Sequence, residues 1–191
     1  MKRVMICLML TLLAACKEAP KTFVPGPITF SGAPMLVNVA EIKVVESYRA
    51  PLSRPNVEHE FATPPATAVK QWANSRLKAV GTQGVLQVSI DDASVREVLL
   101  PKTKGLKGLV TDDQDARYDA NLRVSLKLYN GVDSISTASG DVILNRSKSI
   151  NEKATVEDHE KLYDAMVRDM MKAYDAAATE RLRQYFSAYL R

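Results

Sequence analysis

Histidine, glycine, cysteine and aromatic residues are all scarce in this chain of 191 residues, and each scarcity removes a class of protein. The two histidines, His59 and His159, have no second ligand at metal spacing, so the sequence makes no case for zinc. Eight glycines exclude a collagen and leave no glycine-rich phosphate cradle. No G-x-S-x-G elbow is present; no catalytic residue, metal ligand or cofactor is assigned, and the expectation is a protein that is not an enzyme. The apolar run Val4 to Leu13 is too short for the ~20 residues of a spanning helix, which excludes a multispan membrane protein. What is present is 46% hydrophobic and 25% charged residues, enough for a folded core, in a length that allows one domain plus extras.

The extras begin at the N-terminus. Met1-Lys2-Arg3, the apolar run and the small Ala14-Ala15 read as a secretory signal peptide over 1–15. Leu13-Ala14-Ala15-Cys16 resembles the bacterial lipobox, in which the thiol takes diacylglycerol, the leader is cut before the cysteine, and the new N-terminus is acylated. The resemblance implies lipidation of Cys16 with fatty acyl chains such as palmitate; the alternative is an ordinary signal peptide with an incidental cysteine. Three acyl chains exceed the two signals that stable anchoring takes. Lys17, where enterobacterial sorting would read aspartate as an inner-membrane signal, implies the periplasmic face of the outer membrane, with the inner membrane as the other possibility. Cys7 leaves with the leader, so the mature chain forms no internal disulfide. The formal charge of +4 falls by Lys2 and Arg3 to +2, and together with export this argues against a nucleic-acid partner.

Residues 16–34 carry the candidate lipidated cysteine and then Pro20, Pro25, Pro27 and Pro34 with Gly26 and Gly32, a composition of extended chain that reads as a tether of up to roughly 55 Å without fixed orientation. Residues 35–191 form a single domain. Met35 to Tyr48 predicts a strand with a bulge near Ala40-Glu41, where the parity of the apolar residues slips. Arg49 to Phe61 reads as a loop, and Thr63 before Pro64-Pro65 as the cap of a helix reaching Val80 and ended by Gly81, with Trp72 as a core anchor. Val85 to Ile90 alternates as a strand that resumes at Val95. The cleanest alternation, Tyr118 through Leu128, leads into Asn130-Gly131 and a return strand through Ile135, Thr137, Val142 and Leu144, a long hairpin. Thr155 caps a final helix with Glu157 and Asp158 in its first turn, an apolar stripe of Leu162, Met166, Met170, Ala173, Ala177, Leu182, Phe186 and Tyr189, and spacing-of-four pairs Glu157–Lys161 and Asp164–Arg168. The expected fold is α+β: a two-layer sandwich of mostly antiparallel sheet, covered by the central helix and the long C-terminal helix.

Three segments bear on function. Glu58-His59-Glu60 reads as a solvated loop, and His159 as a surface residue on a charged helix. Asp112, Asp113, Asp115 and Asp119 lack the glycine and terminal glutamate of a calcium loop. The connection at 101–110 sets Lys102, Lys104 and Lys107 beside Leu106. It suits anionic headgroups or an acidic partner, and equally a loop whose aliphatics tuck over the core. Tyr185, Phe186 and Tyr189 give the C-terminus a dense aromatic set, either a partner patch or the core-facing edge of the helix.

Pro55-Asn56-Val57-Glu58-His59, Ala68-Val69-Lys70-Gln71-Trp72-Ala73 with Arg76-Leu77, and Ala116-Arg117-Tyr118-Asp119-Ala120 look like an uncharacterised lipoprotein family of alphaproteobacterial type. More distantly, the layout resembles the auxiliary lipoproteins of ABC-type envelope transport and the lipopolysaccharide-assembly lipoproteins, a fold-level analogy. The resemblance implies a non-enzymatic accessory or binding subunit of envelope assembly or transport, held at the membrane by its lipid and engaging an envelope protein. The alternative is a lipoprotein that binds lipid or glycan between helix and sheet.

Overall fold

A computed structural model describes residues 23–101, 114–130 and 135–191. In chain order the elements are β1 (Met35–Val37), β2 (Glu41–Glu46), a 3₁₀ turn (Glu58–Glu60), α1 (Pro65–Arg76), β3 (Leu77–Ala79), β4 (Val85–Asp92), β5 (Val95–Leu99), β6 (Gln114–Tyr129), β7 (Ser136–Asn151), α2 (Val156–Tyr185) and a 3₁₀ turn at Ser187–Tyr189. The strongest alternation in the sequence makes the spine of the main sheet. β6 and β7, 16 residues each, pair antiparallel along their length, with Leu122 opposite Leu144 and Val124 opposite Val142. β4 and β5 share the other edge of β6, interrupted at Ala93–Ser94, and β2 lies parallel to β4 at the sheet's edge.

One face of this sheet is apolar and covered. Leu86, Val88, Ile90, Tyr118, Leu122, Val124, Leu126 and Leu128 are fully buried beneath α1 and α2, while Arg117, Arg123 and Lys127 point to the opposite, exposed face. The architecture is therefore the expected two-layer α+β sandwich. α2 is 30 residues long, about 45 Å at ~1.5 Å per residue, enough to run the length of the hairpin. Thr155 caps it in a complete capping box with Asp158, and Glu157–Lys161 and Asp164–Arg168 pair at 2.7 Å on its flank. Its buried face is wider than the expected stripe, because Tyr163, Val167, Met171, Tyr174 and Ala178 are covered as well as Met166, Met170 and Leu182. The sheet lies beneath the helix, while α1 and the N-terminal chain flank it.

Several expectations change in three dimensions. Met35 to Tyr48 is two strands rather than one bulged strand: β1 pairs parallel with β3 in a separate small sheet, and β2 pairs parallel with β4. The parity slip is the crossing from one sheet to the other, where the Ala40 N–H is shared by the carbonyls of Gln83 and Gly84 at 3.0 Å. The central helix stops at Arg76, not Val80, since Leu77–Ala79 is drawn into β3; sheet pairing overrides the helix preference of Lys78 and Ala79. Its N-cap is Pro64 with Pro65 in the first turn, so Thr63 is not the cap. Ile135 precedes the return strand and is 78% exposed. Residues 131–134 of the hairpin turn, Gly131 among them, lie outside the described residues.

The part of the tether that is described, residues 23–34, is not free chain. It runs along α2 as an extended strap: Arg168 donates to the carbonyls of Gly26 and Pro27, Ile28 and Phe30 pack on the core, and Arg76 donates to the carbonyl of Ala33. Arg76 is itself buried and ion-paired, its Nε donating to Asp175 Oδ1 at 2.7 Å, and the same oxygen accepts Trp72 Nε1–H at 2.8 Å. Trp72 is fully buried, edge-on to Tyr174 at 4.8 Å, the anchor its helical position predicts. The Asp175 carboxylate thus ties α2 to α1, and Arg76 carries the tie on to the strap.

Candidate functional site

The residues that the sequence singles out for function scatter over the molecule. Cys16, Lys102, Lys104, Leu106 and Lys107 lie outside the described residues. Of the C-terminal aromatics, Phe186 is fully buried and belongs to the core, so it offers no partner contact. Tyr189 is half-buried, and its carbonyl accepts the Asn38 N–H at 2.7 Å while Leu190 bridges antiparallel to Val37, so this terminus completes the small sheet. Tyr185 alone remains broadly exposed at 48%, 6.0 Å from the Arg181 guanidinium. Asp119 is engaged by Arg117 at 2.8 Å and by Ser147, and the Arg117 guanidinium holds its carboxyl below the usual range. Among the described residues, no three histidine, cysteine, aspartate or glutamate side chains gather as a metal site.

The concave chemistry lies elsewhere, at the N-terminal end of α2. The loop over Arg49 to Phe61 is stitched to β5: Val57 N–H donates to Val95 and Glu97 N–H to Pro55, at 2.9 and 2.8 Å. Glu58, expected in a solvated loop, is buried, where it accepts the Tyr48 hydroxyl at 2.5 Å and the Val95 N–H at 3.0 Å. These bonds compensate its desolvation and fix the 3₁₀ turn. The turn then presents Glu60 and Phe61 toward α2. Phe61 stacks on Tyr163 with ring centroids 4.1 Å apart, and Tyr118 meets Tyr163 edge-on at 5.1 Å.

Behind this aromatic group runs a polar chain. The Tyr118 hydroxyl donates to Glu97 Oε1 at 3.0 Å and lies 3.1 Å from His159 Nδ1, so His159 is a half-buried member of the cluster rather than a surface residue. A phenol has one proton; with it on Glu97, the tautomer that fits is Nδ1–H of His159 donating to the phenolic oxygen. Arg54 joins Glu97 to Glu60, the latter at 3.4 Å. Burial pushes the phenols of Tyr118 and Tyr163 up, so both stay neutral at physiological pH.

Two hollows flank Tyr163. One, of about 250 Å³, is walled by Phe23, Pro25, Phe61 and Val167; the other, of about 340 Å³, by Arg54, Val156 and His159; Glu60 and Glu160 border both. An aromatic wall rimmed by carboxylates suits an amphipathic molecule with a cationic group. Sequence reasoning singled out Glu58-His59-Glu60 and Tyr118 but missed the cleft, because Phe61 and Tyr163 meet only through the tertiary fold. No helix among the described residues is long and apolar enough to cross a membrane.

No protein-family model matches the chain, so none supports the alphaproteobacterial lipoprotein family of the sequence resemblance, and no curated protein matches it. Among solved structures, the chain is similar to the rare lipoprotein B from Shewanella oneidensis, at 14% identity and a TM-score of 0.35 over 73% of this chain and 96% of that one. It is similar to a Xanthomonas campestris protein of the DUF330 family at 12% identity and a TM-score of 0.37, over 86% and 92% of the two chains. The PelC dodecamer from Paraburkholderia phytofirmans follows at 11% identity and a TM-score of 0.22, over 73% and 88%. The first is a lipoprotein by name; at these values nothing passes from any of them to this chain.

Proposed function

We propose that the chain is a lipid-anchored accessory protein of the cell envelope that works by binding an envelope protein or transport complex and not by catalysis. The observation that carries this reading is Leu13-Ala14-Ala15-Cys16 at the end of a charged-then-apolar leader, a sequence with the nucleophile and the small neighbours that lipoprotein maturation uses. Lys17 favours the periplasmic face of the outer membrane. The cleft offers a surface for binding, walled by Phe61 and Tyr163 and backed by the network of Arg54, Glu97, Tyr118 and His159. The hollows beside Tyr163 favour a second reading, capture of a small amphipathic lipid.

The test grows cells on an alkyne-bearing fatty acid and crosslinks the tagged full-length protein in place, with Cys16→Ala as control. Incorporation of the label at Cys16, with a stoichiometric envelope partner lost in the control, is the expected result. An unlabelled protein removes the anchor. A labelled protein that yields co-purified lipid and no protein partner transfers the case to the second reading.

A further inference from the structure

The strap runs beside α2 in the same direction as the helix. Phe23 and Pro25 lie by Glu160, Asp164 and Val167, Gly26 and Pro27 meet Arg168, Ile28 to Ser31 lie by Lys172 and Asp175, and Ala33 meets Arg76. Read from Ala33 back to Phe23, the strap therefore runs toward the N-terminal end of α2. Residues 17–22 are all that separate Phe23 from Cys16, a span of at most about 25 Å at ~3.3–3.6 Å per residue. The opposite end of the domain is well separated from this point. Tyr185 at the C-terminal end of α2 lies against Gly140 of the hairpin, about 27–38 Å along the helix from the Glu160–Val167 stretch beside Phe23 at ~1.5 Å per residue, and the turn at 81–84 abuts Tyr129 at that same end. The span available to the anchor is shorter than the domain.

We infer that the docked strap sets how the domain stands on its membrane: the end that carries Phe23, the Tyr163 cleft and the N-terminus of α2 faces the phospholipid headgroups, and the hairpin end stands away. This rests on the lipid-anchor reading above. The surface at that end fits the headgroup layer, since Val24 beside Phe23 is 80% exposed and Val156 at the rim of the cleft is 77% exposed, two apolar side chains without protein cover. A free tether of residues 16–34 would allow any orientation; a strap held by Arg168 and Arg76 does not. The cleft then opens within reach of molecules at the bilayer surface.

Energy transfer to the bilayer tests the inference on the full-length acylated protein. Because Cys7 leaves with the leader and the thiol of Cys16 is blocked by lipid, one added cysteine is the only reactive one. A donor dye is attached to Val156→Cys or to Thr82→Cys, both exposed positions, and the protein is reconstituted in phosphatidylethanolamine–phosphatidylglycerol vesicles bearing a headgroup-linked acceptor. Transfer several-fold greater from position 156 than from position 82 is expected, and a flexible insert of about 20 residues between Thr22 and Phe23 should abolish the difference. Equal transfer from the two positions, or greater transfer from 82, in protein whose N-terminal peptide carries the lipid by mass spectrometry, overturns the orientation while leaving the anchor intact. A peptide without lipid overturns the anchor and the orientation together.

Discussion

Replacing Asp175 with alanine should be among the most damaging single changes in the domain. Its Oδ1 accepts both Arg76 Nε–H at 2.7 Å and Trp72 Nε1–H at 2.8 Å, with the Arg76 side chain only 6% exposed and that of Asp175 19% exposed. At that separation the Coulomb attraction is about 6 kcal/mol for an effective dielectric constant of ~20, and the desolvation of two charges offsets much of it. The net worth of the pair is therefore small, but its asymmetric disruption is not. Asp175→Ala leaves a buried guanidinium and a buried indole N–H without their acceptor, a loss of about 3–5 kcal/mol. At ~2–4 °C per kcal/mol for a domain of this size, the melting temperature should fall by roughly 6–20 °C. Asp175→Asn, which keeps an acceptor for Trp72 but not the charge, should fall between. The double variant Arg76→Met/Asp175→Leu removes both charges and should recover most of the loss. Urea denaturation of the mature protein followed by circular dichroism measures all three. A cost below about 1 kcal/mol for Asp175→Ala, or a double variant as weak as the single one, would refute the picture of a buried pair holding α1, α2 and the strap.

Other consequences are open to single experiments. The Tyr174 hydroxyl is buried with no hydrogen-bond partner among the described residues, so Tyr174→Phe should stabilise by about 1 kcal/mol in calorimetry; a lower melting temperature would mean that the hydroxyl is satisfied. A methyl group on Gly81 would lie 2.6 Å from the Asn38 carbonyl carbon, so Gly81→Ala should destabilise by about 1–3 kcal/mol in urea, and an unchanged midpoint would contradict the close approach of these two turns. The backbone N–H and then the hydroxyl of Thr155 hold the Asp158 carboxyl below its ordinary value; the stability this gives is present above the ordinary carboxylate pKa and lost as pH falls through the depressed one. Asp158→Asn should flatten the acid limb of the stability curve, and carboxyl NMR of Asp158 reads the depression directly. Burial raises the phenols of Tyr48, Tyr118, Tyr163 and Tyr174, so the linked stability is complete below pH ~10 and is lost as pH rises beyond it. Their phenolate absorbance should appear together with unfolding, and its appearance in the folded protein would show these rings to be open to water.

What the sequence discloses here depends on how local the signal is. The hairpin and α2 are readable because alternation along Tyr118–Leu128 and the Thr155 capping box each lie within one element. The partners of β1 and β2 are not, because parallel pairing with Leu77–Ala79 and Val85–Asp92 joins segments on either side of α1, and no residue in either announces the other. Glu58 misleads for the same reason: a glutamate between prolines and a histidine looks wet, and only Tyr48 and Val95, brought up by the fold, make its burial tolerable. The strap is a milder case. Its prolines do specify extended chain, as read, but whether extended chain is loose or docked was decided by Arg168 and Arg76, far along the sequence. The cleft needed Phe61 and Tyr163 together, so it became visible only with the tertiary structure.

The bond between residues 189–191 and β1 has a consequence for the order of events in making the protein. Val37 is bridged by Leu190, Arg191 N–H donates to Leu36 at 3.0 Å, and Asn38 N–H to Tyr189 at 2.7 Å. A ribosome delivers Val37 about 150 residues before Leu190, so β1 waits, half-paired, until that later segment arrives. The small sheet therefore closes only once residues 189–191 are made, and a chain that stops before them carries an open strand edge into whatever compartment receives it.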